Sequence, residues 1–217
     1  MPGGLRLPRC PDAVLLDLDG TLSDAGAAIG VSVAVALERI GERPLSREEL
    51  RGFVGPPLED SFAAMGLSDQ VVARAVALYR AHHDQLASPL YEGVRAALQA
   101  LRGAGLPLAL ATSKPQQFAE LVLAGKRLAS FFDVVVGSDR EGGRLTKGDV
   151  IASALAALGT PTFPVMVGDR RHDVQGAAEH GVPCIGVLWG YGEPGELEQA
   201  GAAALAATPA ELVHLLT

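Results

Sequence analysis

AVLLDLDGTLSD, residues 13–24, begins as an uncharged apolar run and ends in carboxylates, a glycine and hydroxyls. The run Ala13–Leu18 has the length of a strand. Its near-continuous apolarity predicts a parallel strand covered on both faces. Asp17 interrupts that run, and burying an unpaired carboxylate is costly, so a cation is expected beside it, either a metal or a lysine. Residues i and i+2 of a strand share a face, which puts Asp17 and Asp19 on one side. Gly20 lets the backbone turn sharply and approach a ligand. Asp19-Gly20 alone is also an ordinary turn dipeptide. It is Asp17, inside the apolar run, that points beyond a turn.

Outward from this stretch the same kind of run recurs. Leu106–Ala111, Val134–Gly137, Val165–Gly168 and Cys184–Leu188 are further strand candidates, with amphipathic segments between them. Val94, Leu98 and Leu101 fall on one face of a helix over Glu92–Arg102. Val150, Leu155 and Leu158 serve a later helix that Gly159 stops. Thr208, Pro209 and Glu211 take the N-cap, N1 and N3 positions of a last helix. Alternating β and α with right-handed crossovers predict an α/β fold, a Rossmann-like open parallel sheet with helices on both faces. From Ala25 to Ser88 the alternation stops. Ser46 and Glu49 form a capping box, Val71, Ala75 and Leu78 a helical stripe, and Gly55-Pro56-Pro57 a loop. Residues 25–88 read as a helical insertion into a core made of 1–24 and 89–217. The alanine-rich tract at Gly201–Ala207 reads as composition bias.

The chain has 217 residues, long enough for a substantial core. Its formal charge of −7 argues against a general nucleic-acid binder, since a phosphate backbone requires a basic face. A small anionic substrate needs only a few local cations. With 48% hydrophobic and 20% charged residues the chain is globular in composition. Two cysteines, Cys10 and Cys184, make no disulfide framework, and a reducing, cytoplasmic setting is the simplest expectation. The N-terminal segment does not read as a signal peptide. The longest uncharged stretch, Val150–Gly168, is cut by Gly159, Pro161 and Pro164, so no membrane span is expected.

Ligands of open α/β sheets bind beyond the carboxyl ends of the strands. The first apolar run ends in Asp17, Asp19, Gly20 and Thr21, and the second in Thr112-Ser113-Lys114. The third ends in Ser138-Asp139 with Lys147 beyond, and the fourth in Asp169 to Asp173. Asp169 and Asp173, four apart, can both face a site if strand passes into helix there. Carboxylate oxygens with water suit a hard cation such as Mg²⁺. Each residue also has a plainer reading. Asp173 can cap a helix over Val174–Glu179, Lys147 can be an exposed helix-start lysine, and Thr112 a strand-end hydroxyl.

Together these residues match a known pattern. The sequence resembles the haloacid dehalogenase superfamily of phosphohydrolases, in its phosphoglycolate-phosphatase-like branch. The resemblance rests on LLDLDGTLSD at 15–24, LALATSKP at 108–115, Lys147 in GGRLTKGDVI and VGDRRHDVQGA at 167–177. It implies a Mg²⁺-dependent phosphatase for a small phosphorylated metabolite, with the helical insertion as its cap. Asp17 would be the nucleophile, and Asp19 would protonate the leaving oxygen and then deprotonate water. Thr112 would hydrogen-bond the phosphoryl group, and Lys147 would neutralise charge beside Asp17. Gly20, Thr21 and Ser113 would contact substrate. Asp169 would hold Mg²⁺ with Asp17 and the backbone carbonyl of Asp19, supported by Asp173. The cap tract GFVGPPLEDSF at 52–62 would face the site and influence substrate choice.

Alternatives within the superfamily are a dehalogenase, which needs neither metal nor leaving-group acid, and a sugar-phosphate mutase. A silent binding module is the alternative outside enzymes. Several features invite other readings. Gly190–Gly195 spells GxGxxG after a strand, but a dinucleotide fingerprint belongs to a first βαβ unit, so a loop is expected. His82-His83 lacks partners at metal-ligand spacing and reads as a solvated helix face. Arg51 and Arg80 read as surface arginines, Cys184 as a core residue and Trp189 as strand-end packing.

Overall fold

The alternation of side chains along each apolar run explains where the sheet forms. In the computed structural model, which describes residues 10–83, 88–139, 143 and 146–217, the runs become β1 (Ala13–Leu16), β2 (Leu108–Pro115), β3 (Val134–Ser138), β4 (Pro164–Gly168) and β5 (Cys184–Val187). A sixth strand, β6 (Ala204–Ala206), lies in the alanine-rich tract. All pairs are parallel, in the order β3-β2-β1-β4-β5-β6. Residues 1–9, the segment 84–87 of the expected insertion, and Gly142, Arg144 and Leu145 of the lysine motif lie outside the described residues.

Successive residues serve opposite faces. Val14, Leu16, Leu108, Leu110, Val165 and Val167 pack on one side. There they meet α5 (Val94–Gly103), α6 (Gln116–Gly125) and α10 (Pro209–Leu216) through Leu98, Leu123 and Leu212. Leu15, Ala109, Ala111 and Met166 pack on the other. They meet α7 (Lys147–Ala157), α8 (Arg171–Ala178) and α9 (Glu196–Gln199) through Ile151, Val174 and Leu197. The sheet is therefore buried on both faces, as its uninterrupted apolar runs require.

Two sequence expectations change. The tract at 201–207 is a strand, not merely a bias in composition. Alanine does not favour strands, so β6 is imposed by pairing of Ala204–Ala206 with Ile185–Val187. β2 does not stop at Ala111. It runs on to Pro115 with a register shift between Ala111 and Pro115, so Thr112, Ser113 and Lys114 occupy an irregularity in the strand.

Between β1 and α5 the chain builds α1 (Gly26–Ile40), α2 (Arg47–Arg51), α3 (Leu58–Ala63) and α4 (Asp69–His82). These four helices have their own apolar cluster, with Val33, Leu37, Phe62, Val76 and Tyr79 inside it. Phe53 and Phe62 meet edge to face at 5.1 Å. The Ser46–Glu49 capping box is present. The buried stripe of α4 is Val72, Ala75, Val76 and Tyr79, so the expected stripe is rotated by about one residue. Where the chain leaves and rejoins the sheet layer, the two crossings touch. Asp24 N donates to the Pro89 carbonyl at 2.8 Å, and Tyr91 N to the Leu22 carbonyl at 3.1 Å.

Among the described residues, no helix is long and apolar enough to cross a membrane. Leu15 is fully buried in the central strand. Leu15→Ala is expected to cost about 2–5 kcal/mol, the usual range for a large-to-small change in a close-packed core. Urea unfolding followed by circular dichroism measures it.

Candidate active site

Strand order reverses between β1, which pairs with β2 on one side, and β4 on the other. A crevice opens at such a point beyond the strand ends. Asp17 and Asp169 both stand there, each one residue past its strand. Asp17 N still donates to the Val167 carbonyl at 3.0 Å, which ties the two strand ends together.

Asp17, Asp169 and Asp173 are all buried, and one carboxylate oxygen from each lies within 4.8 Å of the others. Lys147, the first residue of α7, reaches this cluster from the next element. Its Nζ donates to Asp17 Oδ1 at 2.6 Å and pairs with Asp173 Oδ1 at 2.7 Å. It is buried, not an exposed helix-start lysine. Asp173 does not stand before its helix. α8 begins two residues earlier, and Asp173 accepts from Arg170 N at 3.1 Å with its second oxygen.

Three buried carboxylates face one ammonium. Burial pushes the Asp17 carboxyl up to about 6, and repulsion from Asp173 and Asp19 adds to it against the lowering effect of Lys147. Burial likewise pushes Asp169 up, with Asp173 and Asp17 contributing. Burial alone would lower the Lys147 ammonium, but Asp17 and Asp173 outweigh it and hold the group charged. This oxygen-only donor set, with its excess of negative charge, fits a hard divalent cation.

Asp19 stands apart from that cluster. Its carboxylate pairs with Lys114 Nζ at 2.8 Å and accepts from Ser23 Oγ at 3.2 Å. Asp17 and Asp19 both line a cavity of ≈ 590 Å³. Its sheet-side wall includes Thr112, Ser113, Lys114 and Ser138, and its helical wall Phe53, Pro56, Leu58, Tyr79 and Arg80. A regular strand would alternate its side chains. The register shift in β2 explains how three consecutive residues, Thr112 to Lys114, all reach the cavity. Thr112 Oγ1 accepts from Lys114 N at 3.2 Å.

Gly20 and Thr21 are not among the residues that line this cavity. Gly20 adopts φ +93°, and a Cβ there would lie 2.1 Å from Asp169 Oδ2. The Thr21 hydroxyl points to Asp169 Oδ1 at 3.4 Å, and its carbonyl accepts from Trp189 Nε1 at 3.0 Å. Both residues therefore support Asp169. Of the other features, Cys184 is in the core, and Arg80 pairs with Glu59 at 3.0 Å. His83 is not solvated. It lies 3.0 Å from Ser32 Oγ and stacks on Tyr79.

Three contributing residues carry little or no signal in the sequence. Lys114 is readable only as part of a polar triplet. Tyr191 N donates to Asp169 Oδ2 at 2.8 Å, from within the GxGxxG stretch. Arg170 Nη1 crosses to the Val54 carbonyl of the helical layer at 2.5 Å.

The parallel sheet, the carboxylates at its switch point and the lysine from α7 define a class, and the comparisons agree with it. The chain belongs to the haloacid dehalogenase-like hydrolase family, which matches residues 14–187. It is 40% identical over 186 residues to the tyrosine-protein kinase PtkA of Mycobacterium tuberculosis, covering 84% of this chain but only 64% of that relative. It is 36% identical over 198 residues to a 5'-nucleotidase of Pseudomonas aeruginosa, covering 89% of this chain and 88% of the relative. A crystal structure described as a predicted phosphatase from Clostridium acetobutylicum superposes with a TM-score of 0.89 at 35% identity, covering 95% of this chain and 98% of that one.

The raised Asp17 carboxyl has a consequence for stability without metal. Its folded value, about 6, lies above its ordinary 3.8. The group therefore favours folding fully below the ordinary value and loses that contribution as pH rises through about 6. In EDTA, the melting temperature of Asp17→Asn minus that of wild type is expected to rise from about pH 4 to pH 7. A difference that stays flat or shrinks over this range in thermal scans contradicts the electrostatic account.

Proposed function

We propose that the chain is a divalent-metal-dependent phosphomonoesterase that works through a phosphoryl group carried on Asp17. The observation that supports this best is the placement of Asp17. Its carboxylate is held by Lys147, grouped with Asp169 and Asp173, and exposed to the same cavity as Asp19. We take residues 25–88 as a cap and 1–24 with 89–217 as the catalytic core.

Mg²⁺ bound by Asp17, Asp169 and Asp173, with the Asp19 backbone carbonyl, would screen the repulsion between carboxylate and ester and polarise a phosphoryl oxygen. The remaining work falls to the chain. Lys147 orients Asp17 by holding Oδ1 and adds a point charge beside the phosphoryl oxygens. Asp17 attacks phosphorus, the ester oxygen departs with a proton from Asp19, and the phosphoryl group is left on Asp17. Asp19 then takes a proton from water, whose oxygen attacks phosphorus, and inorganic phosphate leaves with the Asp17 carboxylate restored. One hard displacement becomes two easier ones. Thr112 and Ser113 line the cavity wall, which supports a role for their hydroxyls as hydrogen-bond donors to the phosphoryl oxygens.

The substrate is a small phosphorylated metabolite. Phe53, Leu58 and Tyr79 offer apolar surface opposite the charged floor, and ≈ 590 Å³ has room for more than a two-carbon acid. We read this volume as supporting a sugar or nucleoside monophosphate as well as phosphoglycolate. The names of the relatives extend this range in two directions, to 5'-nucleotides and, for PtkA, to tyrosine phosphorylation. The setting we infer is cytoplasmic.

Phosphate release from a panel of esters, with Mg²⁺ and with EDTA, tests the reading. Release is expected with Mg²⁺ and lost in EDTA. Asp17→Asn is expected to lower it by at least about 10³-fold, because an amide is a poor nucleophile. Asp19→Asn is expected to cost about 10²–10⁴-fold. Transfer from labelled ATP to protein tyrosine, with no ester hydrolysis, would overturn the hydrolase in favour of a kinase. Exchanging Gly55–Leu58 for an unrelated loop is expected to change the relative rates among esters, and an unchanged ranking removes that loop from substrate choice.

A further inference from the structure

The stretch that spells GxGxxG has no nucleotide-binding context, yet it is packed hard against the site. A Cβ at Gly190 would lie 2.3 Å from Asp169 Cβ, and one at Gly192 would lie 2.5 Å from the Asp169 carbonyl oxygen. The glycines are needed because this loop lies directly on Asp169. From that position it reaches the helical layer twice.

The first contact is made by Tyr191. Its backbone N–H donates to Asp169 Oδ2 at 2.8 Å, while its phenol oxygen accepts from Gly26 N at 2.8 Å and donates to Asp24. Gly26 opens α1, so the phenol grips the point where the chain enters the helical layer. The ring packs against that layer's apolar cluster. The second contact starts at Glu196. One oxygen accepts from Arg170 Nε at 2.9 Å and from Arg171 N at 2.8 Å, and the other accepts from Glu193 N at 3.0 Å. Held this way, the buried Arg170 guanidinium extends Nη1 to the Val54 carbonyl. Val54 immediately precedes Gly55-Pro56-Pro57, which line the cavity.

We propose that residues 190–196 are a positioning loop that sets the helical layer over the site, with Tyr191 fixing its entry point and Glu196, through Arg170, fixing the 53–57 wall. Arg170 suits this role because a planar fork can serve a carboxylate and a carbonyl together, which a lysine ammonium on a flexible stem does less well. Tyr191 couples the two parts through one residue, since displacing its ring strains the backbone that holds Asp169. The proposal rests on the phosphatase reading only for its kinetic readout.

Hydrogen exchange of the full chain, read by mass spectrometry, is the first test, on Tyr191→Phe, Arg170→Ala and Arg170→Lys. Tyr191→Phe keeps the ring and the backbone donor but loses the phenol contacts. Tyr191→Phe is expected to speed exchange across 24–29, and Arg170→Ala across 53–58, each by roughly fivefold, the scale of one hydrogen bond, while β1 and β4 stay unchanged. Arg170→Lys is expected to fall between wild type and Arg170→Ala. Unchanged exchange over 24–29 in Tyr191→Phe or over 53–58 in Arg170→Ala, or an equal rise in the sheet, overturns the proposal, the last making these residues general stabilisers. The kinetic arm compares a bulky ester with phosphoglycolate. KM for the bulky ester is expected to rise about fivefold with kcat within about twofold, and phosphoglycolate to change little. Equal losses on both esters overturn the proposal. Wild type inactive on every ester would defeat the phosphatase reading instead, and the exchange measurement would still decide the role of the loop.

Discussion

One ammonium between two carboxylates holds the site together. Lys147 bonds Asp17 from β1's end and Asp173 from α8, at 2.6 and 2.7 Å. Its own helix begins far along the chain from both. Three segments separated in sequence are thereby joined by charge where the sheet changes direction. Removing one partner from such a buried set is far more damaging than never having built it. The set is also incomplete by itself, because burial and two neighbouring carboxylates drive Asp169 toward its neutral form. The neighbourhood is organised to receive positive charge.

The sheet makes that arrangement possible. Parallel strands bring all their carboxyl ends to one rim, so each apolar run delivers its next residues to the same place. β1 and β4 are adjacent, and the residues just beyond them are Asp17 and Asp169. β2 contributes through an irregularity, which turns three consecutive side chains toward one cavity. The helical layer closes the other side with Phe53, Leu58 and Tyr79, apolar surface opposite a charged floor.

Much of this is legible in the sequence, for a simple reason. A carboxylate that ends or interrupts an apolar run is unusual enough to mark itself, so Asp17 and Asp169 stand out, and the strands come with them. The lysine is legible as a candidate, but its burial is not, since that depends on where α7 meets α8. Other features depend on contacts that no local pattern encodes. Tyr191 is 22 residues from Asp169 and 167 from Asp24, and nothing near it announces either partner. Thr21 lies next to the motif, and the turn at Gly20 brings its hydroxyl to Asp169, a contact that no local pattern announces. β6 is hidden because alanine carries no strand signal, and only its neighbour determines it. The stripe of α4 is displaced because Val71 and Val72 are equally apolar, and only packing chooses between them.

The two crossings between sheet and helical layer lie side by side, joined by Asp24 to Pro89 and Tyr91 to Leu22. To the sheet, everything between them is a single excursion that leaves and returns through one gate. The entropy of closing a loop grows only slowly with its length. What hangs from this gate can therefore lengthen, shrink or be replaced while the ends stay paired and the strands keep their register. The carboxylates at the rim and the apolar wall of the cavity are thus carried by stretches of chain whose lengths need not change together.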